Sequence, residues 1–188
     1  VFYNPQIHHR RSIRLKDYDY TQEGAYFITI CTKNRQCIFG DIKQGEMKFN
    51  LLGTIACDCW QEIPQHFPHI QLDIFVIMPN HIHGILWIHN TITSENELRK
   101  YGKMVSGSIP CVIRSYKSAV TKKINQICNL KGISSVWQRN FYEHINSNEE
   151  SLESIRKYII NNPLGWENDR ENPGDISQQH GLLLDVPF

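Results

Sequence analysis

Residues 71–89, QLDIFVIM followed by PNH and IHGILWI-H, set two strand-length apolar runs either side of a very short connection. Ile, Val and aromatic side chains suit a pleated backbone, and so short a connection forces the second run to turn back on the first. Parallel neighbours need a crossover of about a dozen residues or more, so these two runs pair antiparallel. A sheet begun in this way must bury at least one face, and the rest of the chain has to supply the cover.

The remaining elements follow from periodicity. AYFITICT (25–32) is β-branched and aromatic, with Phe27, Thr29 and Cys31 alternating against Ile28 and Ile30, which predicts a strand. CIFGDIKQGEMKFN reads as a hairpin around a glycine turn. In 51–63 the apolar positions Leu52, Ile55, Ala56, Cys59, Trp60 and Ile63 have helical spacing, with Pro64 expected to end the helix. A second helix over 109–128 carries the stripe Ile109, Val112, Ile113, Tyr116, Val120, Ile124 and Ile127. Residues 135–145 read as a strand or bent strand. A third helix over 148–161 has Asn148 or Ser147 as N-cap, an acidic first turn and Pro163 as its stop. Strands and helices mix without regular alternation, which predicts an α+β sandwich, an antiparallel sheet with helices packed on one face. Residues 1–24 read as a basic extended arm, 90–108 as a long polar loop, and 166–188 as a tail on the surface.

Composition limits the function classes. A chain of 188 residues with 40% hydrophobic content is expected to form a single domain. With 20 basic against 19 acidic residues, net charge does not announce nucleic-acid binding, which would need a local basic face. Six cysteines form no C-x-x-C pair and no zinc-finger spacing, as expected of reduced thiols. No apolar run reaches membrane-spanning length and no signal-peptide pattern opens the sequence, so the expectation is a cytoplasmic protein with no membrane partner.

The chemistry concentrates in two places. His81 and His83 stand two apart on a predicted strand, so both imidazoles share one face and can reach one ion or one phosphate. Spacing alone leaves open whether they are ligands or two half-exposed strand residues. A third ligand is needed, an oxygen if the ion is Mg²⁺ or Mn²⁺. On the last helix, Tyr158 and Asn162 are four apart at the border of the stripe Leu152, Ile155 and Ile159. That border would let the ring pack while the hydroxyl faces a groove, with an amide oxygen one turn later. The plain alternative is a border tyrosine and a helix C-cap. Tyr142, with His144 two residues on, is a second candidate nucleophile, Tyr116 reads as core, and His66 with His69 reads as surface loop.

Three blocks in order, YFITICTKNRQCIFG, FVIMPNHIHGILW and VWQRNFYEHINSNEESLESIRKYIINNPLGW, resemble the REP-associated tyrosine transposases, relatives of the single-tyrosine HUH insertion-sequence transposases. The resemblance spans roughly residues 10–167 and implies a ferredoxin-like (RRM-like) core, with 25–165 as the catalytic domain. It implies Tyr158 as nucleophile and His81, His83 and Asn162 as ligands of a divalent metal, Mg²⁺ or Mn²⁺. Asn162 stands where the insertion-sequence relatives carry Gln. The implied substrate is single-stranded DNA beside a hairpin, cut and rejoined through a 5′-phosphotyrosine. The basic and polar residues set to contact it are Arg14, Lys117, Lys122, Arg139, His144 and Arg156. A monomer is favoured, with a helix-exchanged dimer as the other arrangement. The competing readings are a replication initiator or relaxase of the same chemistry, a non-catalytic nucleic-acid-binding module, and a zinc hydrolase built on His81, His83 and His144.

Overall fold

The computed structural model describes residues 18–89, 106–128, 136–146 and 148–174. The two runs of the opening motif are β4 (Ile70–Ile77) and β5 (His81–Ile88), paired antiparallel as their short connection requires. On its other edge β5 pairs with β1 (Gly24–Cys31), with Thr29 opposite His83 and Cys31 opposite His81. Beyond β1 lies β6 (Tyr142–Asn146), so the sheet runs β4-β5-β1-β6, antiparallel throughout. A small hairpin, β2 (Gly40–Lys43) and β3 (Glu46–Phe49), and helix α1 (Leu51–Gln61) lead from β1 to β4. Short α2 (Ile63–His66) follows α1, while α3 (Ile109–Ile127) lies between β5 and β6. After β6 comes α4 (Glu149–Asn161). The fold is the expected α+β one, with the strand order of a ferredoxin-like sandwich.

The helices divide between the two faces. Tyr26, Ile28 and Ile30 of β1 and Ile82, Leu86 and Ile88 of β5 pack with Trp60 of α1 and Val112, Tyr116 and Val120 of α3. The opposite face of the same strands presents Ala25, Phe27 and Ile85 to Leu152, Ile155 and Ile159 of α4. The expected single helical face therefore holds for α1 and α3, and α4 covers the other. Covered on both sides, β1 and β5 read as near-continuous apolar runs rather than as clean alternation. In β4 the register shifts between Leu72 and Phe75. The shift exchanges faces: Ile70 and Leu72 pack on the α1–α3 side, then Phe75 and Ile77 do, leaving Ile74 and Val76 for α4.

Local details refine the sequence expectations. Asn50 caps α1, its Oδ1 accepting from Leu52 N (2.9 Å) and Gly53 N (3.0 Å). Pro64 does not end that helix. It sits in the first turn of α2, where a residue lacking N–H leaves no intrahelical bond unmade. Ile127 falls off the stripe of α3 and is exposed. Tyr18 and Tyr20, 4.9 Å apart, join the core beside Tyr26, so residues 18–24 belong to the domain and not to an arm. Residues 1–17, including Arg14, and 90–105 of the polar loop lie outside the described residues.

Gly84 lies between the histidine pair and the core. A Cβ there would stand 2.5 Å from Trp60 Cζ2 and 3.0 Å from Phe75 Cβ. Trp60 has little room to withdraw, because Phe75 (5.9 Å) and Tyr116 (5.1 Å) flank its ring. Gly84→Ala is therefore expected to destabilise the fold by about 1–3 kcal/mol. Urea unfolding should show a lower midpoint at an unchanged slope, and a wild-type midpoint would mean that Trp60 repacks freely.

Candidate active site

His81 and His83 point to the α4 side of β5, with ring centroids 4.5 Å apart. Both are buried, at 0% and 5% exposure, unlike the half-exposed strand residues the spacing also allowed. Each Nδ1 is held by a neighbour. His83 Nδ1 lies 2.9 Å from Thr29 Oγ1, directly across on β1, and its ring stacks on Phe27 at 5.4 Å. His81 Nδ1 lies 2.9 Å from Oδ1 of fully buried Asn80.

The Asn80 amide fixes the His81 tautomer. Its Nδ2 donates to the carbonyls of Arg35 (3.0 Å) and Glu171, so Oδ1 is the acceptor and His81 Nδ1 carries the proton. His81 Nε2 is then a bare lone pair. It is buried and makes no hydrogen bond among the described residues, and the same is true of Asn162 Oδ1. Asn162 neighbours both His81 and Tyr158 and favours the charged form of each. Two buried acceptors without a donor are costly unless a cation or water sits with them.

Burial sets the charge states. It pulls His81 down from 6.5 to about 4, against the opposing pull of Asp169 and the Asn162 amide and with help from Arg35. Burial, then the His81 charge, holds His83 well below its ordinary value. Both imidazoles are thus neutral near pH 7, the form in which a ring nitrogen binds metal. Together with Asn162 Oδ1 they are a donor set of two nitrogens and one oxygen that fits a divalent ion with further ligands from water or phosphate. Among the described residues no group of three or more His, Cys, Asp or Glu has metal-holding geometry, so the zinc site with His144 gains no support.

Tyr158 sits at the border of the α4 stripe, its ring packed 6.3 Å from Phe27 and its hydroxyl 3.3 Å from His83 Nε2. Burial first, then the charges of Asp169 and Glu171, push the phenol up to about 12. Tyr158 lines a cavity of about 580 Å³ together with Thr29, His83, Tyr142, Asn162 and Asp169. Tyr142 shares this cavity, with its ring 6.4 Å from Phe27.

The residues expected to contact DNA are scattered in their roles. Arg139 is exposed at the cavity and Lys122 is exposed on α3. His144 is half-buried on β6, opposite Phe27, and burial lowers its pKa. Lys117 is half-buried and engaged by the protein itself: its Nζ donates to the carbonyls of Gln138 (2.9 Å) and Asn140, and burial lowers it to about 8. Arg156 is likewise committed, to Asp73 at 2.7 Å and Glu149 at 2.9 Å. Both cations brace the fold, a role that their place off the apolar stripes did not reveal.

Sequence reasoning missed Asn80, Thr29 and the segment after α4. Residues 166–174 are no loose surface tail. Trp166 lies 6.0 Å from the His81 ring, and Glu171 pairs with Arg35 Nε at 2.7 Å and accepts from Cys31 Sγ at 3.5 Å. Asn80 stood in the quoted PNH connection as a polar residue beside two apolar runs, a signal available beforehand. Nothing in the sequence marks the later segment.

No protein-family model matches the chain. A Haemophilus influenzae protein, described as uncharacterized, is 45% identical over 175 residues, covering 89% of this chain and 96% of its own length. The solved structure of a REP-associated tyrosine transposase bound to a REP hairpin superposes with a TM-score of 0.50 at 19% identity, over 82% of this chain and 73% of that one. The likeness is one of fold. A Deinococcus radiodurans structure at 16% identity, covering 80% of this chain and 97% of its own, has a TM-score of 0.45, too low to argue from.

Two outcomes follow from the buried pair. Folded His81 titrates near 4 and an unfolded one near 6.5, so the unfolded state binds more protons between these values. In metal-free protein, stability should be full above pH 6.5 and fall as pH drops towards 4. His81→Gln should flatten that slope in thermal melts, and an equal slope would mean the pair is hydrated. Asn80→Ala should weaken Mn²⁺ binding by about 10–100-fold in calorimetry. Undiminished affinity would mean that the His81 ring keeps its orientation without that amide.

Proposed function

We propose, for a chain that belongs to the same family as the Haemophilus influenzae protein and has a transposase-like fold, that it cleaves and rejoins single-stranded DNA beside hairpins. The observation that carries this reading is the Tyr158 hydroxyl 3.3 Å from His83 Nε2, beside two buried acceptors, His81 Nε2 and Asn162 Oδ1, that lack a donor among the described residues. His81, His83 and Asn162 would hold Mg²⁺ or Mn²⁺, which when bound draws charge from a non-bridging phosphate oxygen.

The residues divide the remaining work. Phe27 packs the Tyr158 ring edge-on, so the hydroxyl is presented by a rigid wall and not by a mobile loop. Tyr158 attacks phosphorus and gives up its proton to solvent, the bond to the 3′-oxygen breaks, and that oxygen takes up a proton from solvent, giving a 5′-phosphotyrosine and a free 3′-hydroxyl. Held near 12, the phenol is protonated at neutral pH and does not attack without local charge stabilisation. The phosphotyrosine keeps the energy of the ester, so a second 3′-hydroxyl can reverse the step. Rejoining then needs no nucleotide cofactor. One chain holds the whole constellation, since α4 packs on its own sheet, and we favour a monomer.

The test uses hairpin oligonucleotides from the flanks of the protein's own gene, with Mn²⁺, resolved on denaturing gels. Wild type should give a covalent protein–DNA adduct. Tyr158→Phe should give none while keeping hairpin affinity within about 3-fold, because the ring still packs on Phe27 and only the hydroxyl is lost. An adduct in Tyr158→Phe would move the nucleophile elsewhere, first to Tyr142 in the same cavity.

A further inference from the structure

The cavity that Tyr158 lines has a second wall, residues 138–142, which the cleavage chemistry does not use. Its backbone is pinned from behind. Lys117 Nζ takes the carbonyls of Gln138 and Asn140, Gln138 N donates to Cys31 O at 2.9 Å, and Trp137 Nε1 donates to Lys117 O at 3.0 Å. Asn140 is held at φ 70°, a left-handed conformation that Asn tolerates better than most residues. With its backbone thus occupied, the segment offers the cavity side chains.

Those side chains have a particular chemistry. Gln138 and Asn140, and Asn161 opposite on α4, line the cavity, and their carboxamides make no hydrogen bond among the described residues. A phosphate asks for donors alone, which Arg139 at the same wall supplies. A carboxamide presents a donor and an acceptor in one plane, which matches the edge of a nucleobase. Tyr142 and Phe141 add aromatic surface of the kind on which an unpaired base stacks. The volume, about 580 Å³, lies in the range that encloses one small-molecule-sized group.

We propose that this wall is a base-reading subsite: one unpaired base adjoining the phosphate attacked by Tyr158 stacks against Tyr142 and is read at its edge by Gln138 and Asn140. The subsite rests on the reading of Tyr158 as a nucleophile acting on single-stranded DNA. It gives the protein a sequence preference next to the cut, separate from any recognition of the hairpin.

The experiment presents wild type and variants, with Mn²⁺, to hairpin oligonucleotides carrying randomised single-stranded flanks, then sequences the DNA in covalent adducts. Wild type should enrich one base at one position beside the cut by about 5–100-fold, the range of a good bidentate contact. In the Gln138→Ala, Asn140→Gly double variant that enrichment should fall below about 3-fold while other positions keep theirs; glycine is chosen because it accepts the positive φ. Asn140→Asp keeps the turn and turns the amide donor into an acceptor, so it should shift the preferred base. Enrichment unchanged in the double variant, a preference unshifted in Asn140→Asp, or adducts from wild type with no preference beside the cut would each overturn the subsite. Absence of any adduct from wild type would instead sink the nucleophile reading, and the subsite with it.

Discussion

An imidazole taken out of water has to satisfy two ring nitrogens, and the pair on β5 meets that demand at three of its four nitrogens. Thr29 and Asn80 take the Nδ1 atoms. The Nε2 atoms are thereby turned towards α4, one against the Tyr158 hydroxyl and one with no partner among the described residues. Asn80 is a reliable acceptor only because two carbonyls occupy its Nδ2, and one of those belongs to Glu171, far along the chain. The segment after α4 folds back to join the Arg35 carbonyl in holding the Asn80 amide, so this short stretch is part of the site's architecture.

The second constraint is that the sheet is covered on both sides. Trp60 presses on β5 at Gly84 from the α1–α3 side, while α4 closes the other with a stripe of three buried residues. A strand so enclosed has no slack along its length, and the histidines at its start inherit that rigidity. The bulge in β4 matters for the same reason. By exchanging the faces of the strand, it gives α4 an apolar floor in Ile74 and Val76 while Phe75 still reaches Trp60.

Charge is spent locally in this protein. Lys117 and Arg156 lie where a phosphate-tracking face was expected, yet one pins the 138–140 turn and the other joins α4 to Asp73 at the β4 bulge. Internal carbonyls and carboxylates outcompete solvent for them because the partners are fixed in place and already partly dehydrated. The cavity is lined by amides, aromatic rings, two arginines, Arg139 and Arg170, and the carboxylates of Asp169 and Glu171. With its charges so nearly balanced, such a lining suits the edge of a base, as the proposed subsite requires, better than simple attraction of phosphate.

The sequence by itself determined the elements and which residues share a face. The short Pro-Asn connection dictated antiparallel β4 and β5, alternation put His81 and His83 together, and helical spacing put Tyr158 and Asn162 together one turn apart. These are local consequences of backbone geometry, with periods of 2.0 and 3.6 residues. Only tertiary structure decided that α4 crosses the face bearing the histidines, that Thr29 and Asn80 orient them, that Lys117 and Arg156 turn inward, and that residues 166–174 close over His81. Each of these joins residues distant in the chain, through a hydrogen bond or packing contact that no local period encodes. A buried polar atom takes whichever partner the completed fold brings within reach, and that is settled only when the fold is complete.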